Sequence, residues 1–224
     1  MNTDVRNPIQ PATAALLVLA PLLMLVGRLL AVPFNDQDWE GVLTEAAAHP
    51  GRSDAGWLLA VAASGLLGAC ALTLAQLLRT AGRSTPAAVV TVTTALGWAA
   101  AAGISTAGLI FSVLGQAPDR AVQVQLLRDL NAGSTQYVFL MCVIAAVGHV
   151  VLAVGLARAG VVGKGAATAL GLGAAGTLLC VPGPVPAMSV LFALVLLAGH
   201  LLVLRSTGIA RSATPAPEWE TVGA

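Results

Sequence analysis

Apolar residues gather into six long runs, at roughly residues 12 to 33, 56 to 79, 87 to 115, 137 to 158, 165 to 182 and 186 to 204, with almost no ionisable side chain inside them. A helix rises about 1.5 Å per residue, so about 20 apolar residues cover the hydrocarbon core of a bilayer. Each run therefore predicts one membrane-spanning helix, and six of them in 224 residues leave no room for a soluble domain. The predicted fold is all-α, a polytopic six-helix transmembrane bundle over 12–208. A tail of residues 1–11 precedes it, and a disordered tail over 209–224 follows, where Pro215 and Pro217 stand among small residues.

Two of the polar connections are long enough to hold structure. From Asp36 to His49, Trp39, Leu43 and Ala46 share a helical face while Asp38, Glu40 and Glu45 stay polar. Pro118-Asp119 is a start signal for a second short helix, with Val122, Leu126 and Leu130 on one face. Both predict interfacial helices lying on the membrane surface. Pro182, Gly183, Pro184 and Pro186 predict a tight turn between the fifth and sixth spans.

Charge adds an orientation. Alternating the loops between two sides puts Arg6, Arg79, Arg83, Arg158, Lys164, Arg205 and Arg211 on one side and Arg52, Arg120 and Arg128 on the other. The positive-inside rule then places both termini in the cytoplasm. The second, fourth and sixth runs share an ending, with Arg79, Arg158 and Arg205 in the last turn and Gly82, Gly160 and Gly208 just beyond. This is the pattern of a helix closed by a left-handed glycine. The first run is too long for a signal core and lacks a small-x-small cleavage site, so it reads as a retained span.

With spans lipid-exposed, association must come from close packing rather than from hydrophobic burial. Gly165, Ala169, Gly173 and Thr177 form a small-residue stripe that predicts the fifth helix to be the most buried. Thr93, Gly97, Ala101 and Ser105, and Ala60, Ser64 and Gly68, repeat the device. Such faces serve packing within the chain, a homo-oligomer or a membrane-protein partner.

Composition agrees: 57% hydrophobic and 9% charged residues, with mean hydropathy +0.86. A net charge of +1 without basic blocks gives no reason to expect nucleic acid. Cys70, Cys142 and Cys180 all fall in spans without metal-ligand spacing and read as small buried residues. Ten of the eleven basic residues are Arg, a bias typical of GC-rich bacterial genomes.

Few residues carry chemistry. His149 and His200 are the histidines within spans, each following a Gly, and an imidazole in hydrocarbon needs a partner. Held on separate helices they are candidates for binding a b-type haem from both faces, with Gly148 and Gly199 making room for the macrocycle. Against this, His149 lies nine residues before Arg158 and His200 five before Arg205, a depth offset of about 6 Å. A proton or ion relay, or a polar packing contact, are the other readings. Arg28, the one basic residue inside a span, lies near its outer end within snorkelling reach of water. Turned inward, it would pair with Asp36 or Asp54. Gln76 offers a polar group in the second span, as do Thr91, Thr94, Ser105, Thr106 and Ser112 in the third. Asp36, Asp38, Glu40, Glu45, His49 and Asp54 crowd one side but lack calcium-loop or zinc-protease spacing, so they read as solvated charge. No phosphate loop or nucleophile elbow occurs, and no catalytic or metal residue is assigned.

The Ala-Ala-His49-Pro50-Gly51-Arg52 stretch, the Gly148-His149 pair and the Gly155-Leu156-Ala157-Arg158 ending resemble those of small multi-pass bacterial membrane proteins of unknown function. The resemblance implies a six-helix membrane fold and no activity, substrate or site. His49 itself reads as a corner, with Pro50 ending the helix before it. The expected function is a non-enzymatic structural, accessory or sensing component of the plasma membrane, partnered by the lipid bilayer. A haem electron-transfer protein and a small-solute transporter or channel are the alternatives.

Overall fold

The computed structural model describes residues 11–33, 35, 37–133, 135–180 and 186–212, and these are all-helical, 89% helix with no strand. The helices are α1 (Pro11–Leu30), α2 (Trp39–Ala48), α3 (Pro50–Thr80), α4 (Ser84–Gly108), α5 (Ile110–Gln116), α6 (Arg120–Gly133), α7 (Thr135–Arg158), α8 (Lys164–Leu179) and α9 (Pro186–Ser212). Five stretches are long and apolar enough to cross a membrane: Pro11–Leu30, Pro50–Thr80, Ser84–Gln116, Gln136–Arg158 and Ala187–Thr207. The remaining run, 165–182, forms α8, whose 16 residues rise about 24 Å and fall short of that length. Length and composition thus support five spans where the sequence pattern predicts six. The third run is also divided, at Leu109, into α4 and α5. Helix α9 reaches Ser212, so residues 209–212, read as tail, are helical. The tails at 1–10 and 213–224, Asp36, and Pro182, Gly183 and Pro184 lie outside the described residues.

The six long helices pack in chain order around a closed ring: α1 against α3, then α4, α7, α8 and α9, which returns to α1, while α3 and α7 also touch across the middle. At one end, hereafter the short-turn end, α3–α4 and α7–α8 are joined by a few residues. The other, long-loop end carries α2, α5 and α6. The two short turns are built alike. Gly82 N–H donates to Arg79 O and Arg83 N–H to Leu78 O; Gly160 N–H donates to Ala157 O and Val161 N–H to Leu156 O. This Schellman geometry needs a left-handed residue, and Gly82 (φ 79°) and Gly160 (φ 68°) supply it without a Cβ clash. The third ending read from the sequence, at Arg205-Ser206-Thr207-Gly208, does not close a helix, because α9 continues through it.

Small residues set how close the helices come. Gly97 of α4 lies against the Ala145 side chain of α7, Gly56 of α3 against the Ala31 backbone beyond α1, and Gly173 of α8 against the Leu196 backbone of α9. Helix α8 has nine of its 16 residues buried, a larger share than α1, α3 or α4. Its buried face differs from the predicted stripe: Gly165 is exposed with open space around it, and Ala166, Ala167, Leu170 and Ala174 turn inward with Gly173 and Thr177. On the outside of the ring large apolar side chains stand free, among them Leu29 at 54%, Leu58 at 56% and Val92 at 60% exposure.

The long-loop end separates the two short helices. Asp38 caps α2 by accepting the Gly41 N–H at 2.8 Å. Its Trp39, Leu43 and Ala46 are buried. They face α5 rather than a surface: Trp39 meets Phe111 edge-on at 6.1 Å, and Gly115 lies against Leu43 O. Helix α6 instead leaves Val122, Leu126 and Leu130 exposed and buries Leu127.

Because Gly97 sits in contact with α7, a Gly97→Leu substitution is expected to push α4 from α7 and cost about 1–3 kcal/mol. Gly103→Leu, on the same helix where nothing lies within 4 Å, is expected to be neutral or mildly stabilising through helix propensity. Reversible unfolding of both variants in mixed micelles checks the contrast.

Candidate functional site

The inward stripe of α7 runs through Cys142, Ala145, His149, Leu152 and Leu156, and that of α9 through Ala193, Leu196, His200 and Val203, all of them buried. His149 and His200 are 4% and 3% exposed. Each imidazole is tied to its own helix one turn back: His149 Nδ1 lies 2.9 Å from Ala145 O and His200 Nδ1 2.9 Å from Leu196 O. A carbonyl oxygen only accepts, so both rings carry their proton on Nδ1 and present a lone pair at Nε2. His149 Nε2 accepts the indole N–H of Trp98, at 3.1 Å, with the rings edge to face at 5.6 Å and 86°. Trp98 is itself buried at 2% exposure on α4, with Gly68 of α3 beside its side chain.

The two histidines and Trp98 line a common cavity of about 10 Å³, closed by Leu67, Leu74 and Leu152 among others. That is close to the smallest space that holds one water. The sequence offset in depth does not keep the imidazoles apart, since both reach this cavity.

These residues do not fit a haem between the two histidines. The His149 Nε2 lone pair that would bind iron is already engaged by Trp98. The glycines make room for helices instead of a macrocycle: Gly148 lies against Thr93 of α4, and Gly199 against the Leu170 backbone of α8. The cavity is also far below the several hundred Å³ of a pocket for a large ligand.

The other sequence candidates lie elsewhere. Gln76 is exposed on α3. His49 is the corner joining two helices: its N–H donates to Glu45 O to close α2, and its carbonyl accepts from Ser53 N–H to open α3. Pro50 therefore begins α3 as much as it ends α2. The acidic group disperses into separate contacts: Asp38 in its cap, Glu45 at 3.8 Å from Arg52, and Asp54 accepting the Ser112 hydroxyl at 2.6 Å. No three His, Cys, Asp or Glu side chains converge among the described residues. The hydroxyls of Thr91, Thr94, Ser105 and Thr106 donate to the carbonyl four residues back and so offer nothing to a passing solute. All three cysteines are free thiols, Cys70 and Cys142 buried and Cys180 half-buried.

Arg28 follows Leu17, Pro21 and Met24, the buried stripe of α1. Its Nε is buried with no hydrogen-bond partner, and Asp54, a predicted partner, is bonded to Ser112. It is thus turned inward instead of serving as a lipid-facing anchor.

Trp98 is the member that the sequence reading missed. A buried indole N–H needs an acceptor, and Trp98 follows Gly97 in the middle of an apolar run where an imidazole nitrogen is one of few free acceptors. Comparison with protein-family models, with curated proteins and with solved structures finds no match.

Removing the indole N–H leaves the His149 lone pair buried and unpaired. Trp98→Phe is expected to destabilise by about 1–3 kcal/mol, and a cycle with His149→Leu to give a coupling of about 0.6–1.7 kcal/mol, the range of interhelical hydrogen bonds in membranes. Unfolding of the two single variants and the double variant checks both values.

Proposed function

We propose that the chain is a six-span, non-enzymatic component of a bacterial plasma membrane, structural, accessory or sensing in role, with both termini cytoplasmic. The observation that carries this reading is the filled interior of the ring: the described hydroxyls of α4 are turned to their own backbone, His149 is bonded on both nitrogens, and the cavity between the histidines has room for about one water. That interior offers neither a solute path nor a convergent reactive site.

Helix α8 is the sixth span in this reading. It lies in the ring between α7 and α9 and is mostly enclosed by protein, so its length need not match the lipid thickness as a lone helix would. Orientation follows from charge. Arg79, Arg83, Arg158, Lys164 and Arg205 all stand exposed at the short-turn end, which is therefore the cytoplasmic one. Helix α6 lies on the outer surface with Val122, Leu126 and Leu130 in the acyl boundary. The small-residue faces are largely used inside the chain, so a second copy or a partner protein would meet the exposed Leu and Val surface instead.

Thiol labelling of intact cells tests topology and sealing together, in a chain with Cys180→Ala that keeps buried Cys70 and Cys142. Cysteines placed at Gly51 and Ala187 are expected to react with an impermeant maleimide from outside, and cysteines at Arg83 and Gly163 only after the membrane is opened. The parent is expected to stay unlabelled in both conditions. Labelling of Gly163→Cys and Ala187→Cys from the same side would remove α8 as a span, and labelling of Cys142 from either side would expose a water path and favour a transporter.

A further inference from the structure

We propose that Arg28 and Thr177 form a binding site for an oxyanion, a phosphate or carboxylate group, inside the long-loop end of the ring. Arg28 stands in the last turn of α1, and Thr177 in the last turn of α8. Both helix ends lie at the same end of the bundle. Helix α1 packs against α3 and α9 and makes no backbone contact with α7 or α8. The Arg28 side chain nevertheless comes within electrostatic reach of the Cys142 thiol on α7 and the Cys180 thiol on α8. To do so it must cross the interior of the ring. Thr177 lies one helical turn before Cys180 and so shares the α8 face that Arg28 approaches.

Both groups are without partners in a way that sets them apart. Arg28 Nε is buried and unbonded, and no carboxylate pairs with it among the described residues. Thr177 is 1% exposed, and its hydroxyl has no partner, whereas Thr91, Thr94, Ser64 and Ser105 each donate back to their own helix. A threonine hydroxyl turned off its helix, next to a free guanidinium, presents an O–H and an N–H fork to one acceptor. The Nε–H and neighbouring Nη–H of arginine match two oxygens of a carboxylate or phosphate, the strongest of the side-chain anion contacts. An unpaired charge so placed is costly, and an oxyanion bound there offsets that cost. The cysteines are neutral lining and take no charge from the ligand.

The site extends the accessory or sensing reading by naming what is sensed or held, and its outward aspect rests on the orientation proposed above. The test is therefore done in detergent, where orientation plays no part. Thermal unfolding of the purified full chain in a neutral detergent is followed by tryptophan fluorescence while sodium phosphate is added, with sodium chloride at matched ionic strength as control. A parallel titration uses short-chain phosphatidylglycerol against short-chain phosphatidylcholine. A saturable rise in Tm with phosphate supports a soluble anion as ligand; a rise with phosphatidylglycerol alone supports a lipid headgroup; either upholds the site. Arg28→Met is expected to abolish the rise, Arg28→Lys to weaken it, and Thr177→Val to weaken apparent affinity roughly tenfold. Arg128→Met, on exposed α6, is expected to leave it unchanged. No rise in the native chain with either ligand, or a rise that persists undiminished in Arg28→Met, overturns the site. Neither result touches the topology, which the labelling decides separately.

Discussion

Where α8 meets α9, Gly173 lies against the Leu196 backbone and Gly199 against the Leu170 backbone, each helix giving up a side chain so that the other can come close. In a medium as apolar as leucine, this contact of backbones is what makes helices prefer each other to lipid. Dispersion between many atoms at short range supplies the attraction, and any gap forfeits it. Gly97 with Ala145 does the same for α4 and α7, and Gly56 with Ala31 for α3 and α1. The closed ring depends on these approaches. Its sealed interior, the placing of two histidines at one cavity and the inward path of Arg28 depend on the ring.

Close approach also decides what the buried polar groups do. With little space between helices, most satisfy themselves locally: hydroxyls bond the carbonyl one turn back, and both imidazoles do the same through Nδ1. Trp98 with His149 is an interhelical bond that ties α4 to α7 at depth. Arg28 and Thr177 are not absorbed in this way, and the same is true of Ser53 Oγ and Trp57 Nε1 on α3. A polar atom left over in such an interior marks either a cost of packing or a place for something else to bind.

Much of the architecture was legible in the sequence. The long runs become helices within a few residues, and the Arg-x-x-Gly endings at Arg79 and Arg158 close them through left-handed glycines. The third such ending failed because a Gly after Arg205 permits a cap without forcing one, and α9 runs on to Ser212. The α8 stripe was read by four-residue steps from Gly165, yet a straight helix turns 3.6 residues per revolution, so over three turns the face drifts, and Gly165 ends outside it. The pairing of His149 with Trp98 was hidden for another reason. It depends on the rotation of α4 against α7, which the contact of Gly97 with Ala145 fixes and a single run of apolar letters does not record.

The central claim is a dry, closed interior in which each membrane histidine is neutral and bonded to its own helix. Nitrogen-15 NMR of histidine-labelled protein in bilayers reads this directly, with exposed His49 as the internal comparison. The account predicts that His149 and His200 both carry the proton on Nδ1, with Nε2 bare, hydrogen-bonded in His149. Imidazolium, or an Nε2-protonated ring, at either position would contradict it, because neither form can exist with the bonds that hold the ring's centre together.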